Sequence, residues 1–165
     1  MASARGSAPK YSEIVAVDVG SRITKAVHMR LKGAEYVLAG YAMVDTPVGE
    51  KGMSVETLAE HLRKVVRPLN TACRRVVLSI GPANTVLTHA ELPPMSPSDL
   101  RKMVKLSPKS YLQQELPDHL FDCHVRVPNA QGDTTTFTKR KKSRVLVGGA
   151  RRRLVEDYCE AARQA

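Results

Sequence analysis

Asp18, Ser21, Arg22 and Lys25, with Gly20 between the first two, fall within eight residues of a 165-residue chain. A carboxylate, a Gly-Ser turn and two cations so closely spaced suit the binding of phosphate. Gly20 permits positive φ and a close approach of the backbone to whatever lies above it. Successive amide N–H groups of such a turn can point outward into a concavity for anionic oxygens. Asp18 suits a hydrated Mg²⁺, which takes one or two carboxylates with waters and phosphate oxygens. Lys25 adds a fixed positive charge, and Arg22 either reaches a phosphate or crowds it. The same residues also fit an ordinary hairpin, with Asp18 in an Asx-turn and Lys25 solvated. The alternative phosphate cradles GxxxxGK[ST] and GxGxxG are absent.

A second group of charges lies toward the C-terminus: Lys139, Arg140, Lys141 and Lys142, then Arg144 and Arg151, Arg152 and Arg153. Formal net charge is +10 and the pI is near 9.8. Such a balance favours an anionic partner without specifying a fold. No aromatic residues interleave the cluster, as a single-strand binder requires, so it supplies only the non-specific electrostatic part of nucleic-acid affinity. Attraction to an anionic membrane leaflet, about 1 kcal/mol per basic residue near the surface, is the better match. Cys73, Cys123 and Cys159 form no CxxC pair and point to structural thiols in a reducing cytoplasm. His119, Cys123 and His124 match no zinc spacing. No apolar run approaches the ~20 residues of a membrane span, and the N-terminal stretch lacks a signal peptide's apolar core.

The elements that must position these residues can be read from periodicity. Residues 14–19 form a strand in which Ile14, Ala16 and Asp18 share one face and Val15, Val17 and Val19 the other. After the turn, Ile23, Lys25, Val27, Met29 and Leu31 alternate with Thr24, Ala26, His28 and Arg30, with His28 expected outward or at an edge. A third strand over residues 36–44 and a loop lead to a helix capped by Ser54, with Val55, Leu58, Leu62, Val65, Val66 and Leu69 inward. A second unit is expected from Arg75 onward, opening with strands over residues 76–80 and 85–92. Ser96 then caps a helix with Pro97 at its first position and Asp99 in the capping-box position. Pro108 predicts a break near Ser107. Strands over 121–127 and 144–150 flank a polar loop, and a final helix starts near Arg152. The expected divisions are an arm over residues 1–12, a first unit over 13–74 and a second over 75–165.

The hairpin DVGSRITK resembles the first phosphate motif of the actin-like ATPases, and more narrowly that of the PilM family of type IV pilus assembly proteins. The run from Val76 to Leu112 resembles the opening of the extra subdomain carried by PilM and FtsA, where a strand pair passes through an LP-x-M turn, here Leu92, Pro93 and Met95, into a helix. The resemblance implies an α/β chain: part of an actin-like (ribonuclease H-like) first-lobe subdomain, then an inserted SHS2-like subdomain of strand, helix, strand and strand. It implies ATP with Mg²⁺ held through Gly20, Ser21, Arg22, Lys25 and, by way of water, Asp18. It also implies a cytoplasmic scaffold that docks on the inner membrane by gripping the N-terminal tail of a PilN-like protein near the junction of the units. Leu100, Met103 and Val104 are candidates for one wall of that groove, or plain core. The family's second phosphate motif, adenosine motif and water-positioning residues have no counterpart here. The chain is therefore expected to be the first part of a longer protein, binding nucleotide weakly or not at all and inactive as an ATPase alone. Alternatives are a basic module for anionic lipid or nucleic acid, and an FtsA-like division protein.

Overall fold

The computed structural model describes residues 11–47, 53–93, 95–112, 116–125 and 143–165. The described chain runs β1 (Glu13–Val19), β2 (Ile23–Lys32), β3 (Glu35–Asp45), α1 (Val55–Val66), β4 (Val76–Ser79), β5 (Thr85–Leu92), α2 (Pro97–Leu106), α3 (Lys109–Leu112), β6 (His119–Val125), β7 (Ser143–Arg151) and α4 (Arg152–Gln164). It divides into two units, one of residues up to Gly81 together with Asp157–Ala165, the other Pro82–Glu156. The fold is α/β, with one sheet in each unit.

In the first unit a four-stranded sheet has the order β3-β2-β1-β4. The first three strands are antiparallel neighbours, and β4 returns parallel to β1. Valines at 15, 17 and 19 put β1's apolar row against α1, whose Leu58, Ala59, Leu62 and Val65 complete the core. Ser54 caps α1 by accepting from the Thr57 amide at 3.2 Å. Burying Leu58, Leu62 and Val65 contributes about 1.5–3 kcal/mol apiece.

Antiparallel register then decides which face of β2 turns inward. Val19 lies opposite Thr24, Val17 opposite Ala26, and Val15 opposite His28. Cross-strand partners share a face, so the set with the polar residues is buried and the apolar set faces out. Thr24 is 0% and His28 2% exposed. Alternation alone puts His28 outward or at an edge; the register with β1 overrides that. His28 is satisfied through Nε2, within 3.1 Å of a Glu13 carboxylate oxygen and 3.2 Å of the Thr71 hydroxyl, while Arg30 donates to the other Glu13 oxygen at 3.0 Å.

Three expected boundaries shift for physical reasons. Tyr11 and Ser12 are not part of a loose arm. The Tyr36 hydroxyl donates to the Tyr11 carbonyl, Arg75 stacks over the Tyr11 ring at 3.9 Å, and the Leu31 amide donates to Ser12. Strand β4, expected in the second unit, pairs with β1 in the first. The last helix, also expected there, sends Ala161 into the first core beside partly buried Tyr158 and Ala162.

The second unit is an antiparallel sheet of order β5-β7-β6. Helix α2 begins as its sequence dictates, with Ser96 accepting from the Asp99 amide and Pro97 in the first turn. It stops at Leu106, and α3 resumes at Lys109, which is the break that Pro108 enforces. Leu100 and Val104 pack into a core with Leu92, Phe121, Cys123, Val145 and Val147. Phe121 lies opposite Gly149, where an added Cβ would come within 2.4 Å of the ring, so the glycine makes room for it. The expected polar loop, with Lys139, Arg140, Lys141 and Lys142, lies outside the described residues.

Candidate functional site

The turn between β1 and β2 gathers the candidate phosphate residues. The Gly20 amide donates back to the Asp18 carbonyl at 3.1 Å. Gly20 does not take up positive φ; among the described residues Gly33 is the glycine that does. The requirement at Gly20 is space, because a Cβ there would lie 2.5 Å from the Ile23 carbonyl oxygen. Positive φ, expected of Gly20 from the sequence, is not what this turn uses.

Asp18 and Lys25 face each other across β1 and β2, and Asp18 has Ser79 beside it on β4. Asp18, Ser21, Arg22 and Lys25 are all exposed. No ion pair joins Asp18 and Lys25 among the described residues. Both remain available to an outside group, a carboxylate for a hydrated cation and an ammonium for a phosphate. The donor set therefore fits a Mg-phosphate group approaching one end of the sheet.

What holds this turn from behind was missed by sequence reasoning. Thr24, adjacent to Lys25, points inward, and its hydroxyl lies 2.8 Å from His61 Nε2 on α1 and 2.9 Å from the Thr46 hydroxyl beyond β3. The Thr46 amide donates to the Arg22 carbonyl at 2.9 Å, tying the same three elements to the turn itself. Burial pushes the His61 pKa below its ordinary value, with Lys64 adding to the effect. The signal lay in the alternation: once Val15, Val17 and Val19 define the inward face, Thr24 must be buried, and a buried hydroxyl needs partners.

Leu100 and Val104, candidates for a peptide groove, are each 0% exposed. As core residues they offer no wall to a peptide, and Met103 is only partly buried against the same core. Exposed apolar area lies elsewhere. On the outward face of the first sheet, Tyr41 is 70% and Met43 64% exposed, with Leu38, Val77 and Ile23 also open to solvent. Their register partners Met29, Ala16 and Val27 extend the patch across all four strands.

No family model and no curated protein matches this sequence. Among solved structures, a chain of the PilM-PilN type IV pilus biogenesis complex is similar, with a TM-score of 0.73 and 20% identity over 95% of this chain and 45% of that one. The cytoplasmic domain of EpsL, an inner membrane component of the type II secretion system of Vibrio cholerae, matches with a TM-score of 0.49 and 18% identity, over 92% of this chain and 53% of that one. The chain thus spans about half the length of each. No helix among the described residues is long and apolar enough to cross a membrane. At such identities the likeness establishes the fold: the chain has the actin-like architecture seen in the pilus biogenesis complex.

Proposed function

We propose that the protein is a cytoplasmic assembly scaffold of a type IV pilus or related secretion machine, held at the inner membrane by the short N-terminal tail of a PilN-like protein. The observation that carries this reading is the outward face of the first sheet. Soluble monomers rarely expose a contiguous apolar patch of more than a few hundred Å², whereas here apolar side chains of β2, β3 and β4 are open to solvent on one face, with half-buried Ala16 of β1 among them. A protein built to dock others accounts for such a face; a basic nucleic-acid module does not. The similar chain comes from a complex of PilM with PilN, which supplies the candidate partner. In this reading the Asp18 hairpin contributes one wall of an ATP site. Asp18 would orient Mg²⁺ through water, Gly20 and Ser21 would present backbone amides, and Arg22 and Lys25 would balance phosphate charge. The bound nucleotide would add ordering of the scaffold to what these side chains do.

Fluorescence anisotropy with a labelled PilN-like tail peptide tests the partner directly. Saturable binding is expected, and binding unmeasurable at hundreds of micromolar to folded protein sinks the scaffold reading. In calorimetry with Mg-ATP on a protein that binds nucleotide, Asp18→Ala should weaken Mg-dependent binding and leave folding unchanged; an unaltered affinity removes Asp18 from the site.

A further inference from the structure

One cavity lies wholly within the second unit. It has a volume of about 550 Å³ and is lined by Asp118, His119, Arg151, Arg152, Arg153 and Glu156, with Leu116 and Pro117 at its side. That volume falls in the range of about 300–1,000 Å³ typical of small-molecule sites.

A backbone hydrogen bond joins two of its lining segments. The Arg152 amide donates to the Asp118 carbonyl at 2.7 Å, closing the segment before β6 onto the start of α4. His119 stacks against Phe121, with ring centroids 6.0 Å apart. The His119 Nδ1 is buried without a hydrogen-bond partner among the described residues. A buried polar atom of this kind calls for a partner such as an ordered water.

The charge pattern runs against the local rule. A helix start carries positive potential, equivalent to about half a charge, and favours acids. Helix α4 has no acid in its first turn and begins instead with Arg152 and Arg153, directly after Arg151. Arg151 and Arg152 are exposed and form no ion pair among the described residues, while Arg153 is already engaged in an interaction. Clustered guanidiniums at a helix start cost stability, and such local conflicts concentrate at functional sites. Guanidinium groups match phosphate oxygens with paired N–H donors. The carboxylates of Asp118 and Glu156 line the same cavity and oppose an extended polyanion, leaving room for a single phosphate group.

We propose that this cavity binds one phosphate group carried on a small molecule, either a soluble phosphate ester or the headgroup of an anionic phospholipid. Arg151 and Arg152 are the ligands, and Asp118 and Glu156 limit the charge accepted. This proposal is independent of the nucleotide hairpin and of the tail partner.

Calorimetric titration of the 165-residue protein with inorganic phosphate and glycerol 3-phosphate tests the soluble source. Co-sedimentation with phosphatidylcholine vesicles, with and without phosphatidylglycerol, tests the lipid source. Binding in either arm is expected to fall about tenfold in Arg151→Gln and in Arg152→Gln, the loss of one charge-assisted contact. Asp118→Asn should tighten it, while Lys64→Gln, on α1 of the first unit and not among the lining residues, should leave it unchanged. Circular dichroism confirms folding, and if one arginine variant misfolds the other decides. A response to glycerol 3-phosphate alone assigns the soluble source, and a response to phosphatidylglycerol vesicles alone assigns the lipid. No binding in either arm, or an equal loss in Lys64→Gln, overturns the proposal.

Discussion

Replacing Thr24 by valine removes one hydroxyl from a fully buried position and changes little else in shape. That hydroxyl sits between His61 Nε2, at 2.8 Å, and the Thr46 hydroxyl, at 2.9 Å. Valine leaves both without this partner, in sites only 4% and 7% exposed. Stranding buried polar groups costs about 1–3 kcal/mol each, the added methyl returns about 0.8 kcal/mol, and the net expectation is a loss of about 1–5 kcal/mol. Domains of this kind are stable by only about 5–15 kcal/mol, so the effect is large. Urea unfolding should show a lower midpoint with an unchanged slope. Thr24→Ser, which keeps the hydroxyl, should cost less than half as much. In a double-mutant cycle, His61→Leu combined with Thr24→Val should lose less than the sum of the single losses. A Thr24→Val protein within about 0.5 kcal/mol of the parent, the range of ordinary surface substitutions, would refute the claim that this network anchors the turn.

Other expectations follow from the same structure. Because burial lowers the His61 pKa from 6.5, the unfolded chain binds its proton more readily than the folded one. The stability tied to a neutral His61 is fully present above pH 6.5 and is lost as pH falls toward the lowered folded-state value. Thermal melts of His61→Gln should show less pH dependence across that window, and an identical dependence would exclude His61. Gly20→Ala forces a Cβ against the Ile23 carbonyl, so the turn must shift at a cost of about 1–3 kcal/mol, measured by urea unfolding. Ser96→Ala removes the α2 cap and should cost about 1 kcal/mol, read as a lower melting temperature.

Much of the architecture was legible because local chemistry and tertiary structure agree. Ser54, Ser96 with Pro97, and Pro108 mark helix starts and a break by mechanisms that act within a few residues. Strand inventory was legible for the same reason, and the Asp18 turn could be located from Gly20 alone. What was not legible depended on pairing between distant segments. Nothing near Val76 says that it will lie beside Val15, yet that parallel pairing assigns β4 to the first sheet. Likewise, the facing of β2 was set by β1, not by its own hydrophobicity. Its apolar row, Ile23, Val27 and Met29, alternates as a core row would, and only register shows it pointing away from α1. The candidate groove failed in the opposite way, since periodicity finds Leu100 and Val104 but cannot separate a buried face from a docking face. For the turn, spacing supplied the residues, while the supporting network of Thr24, Thr46 and His61 required three elements to meet.

The central claim is that this fold serves to grip the tail of a membrane partner. Amide hydrogen exchange of the protein, alone and saturated with a PilN-like tail peptide, tests it most directly. Added protection confined to a contiguous set of amides is predicted, with the cores of both units unchanged. An exchange pattern indistinguishable with and without the peptide would contradict the claim.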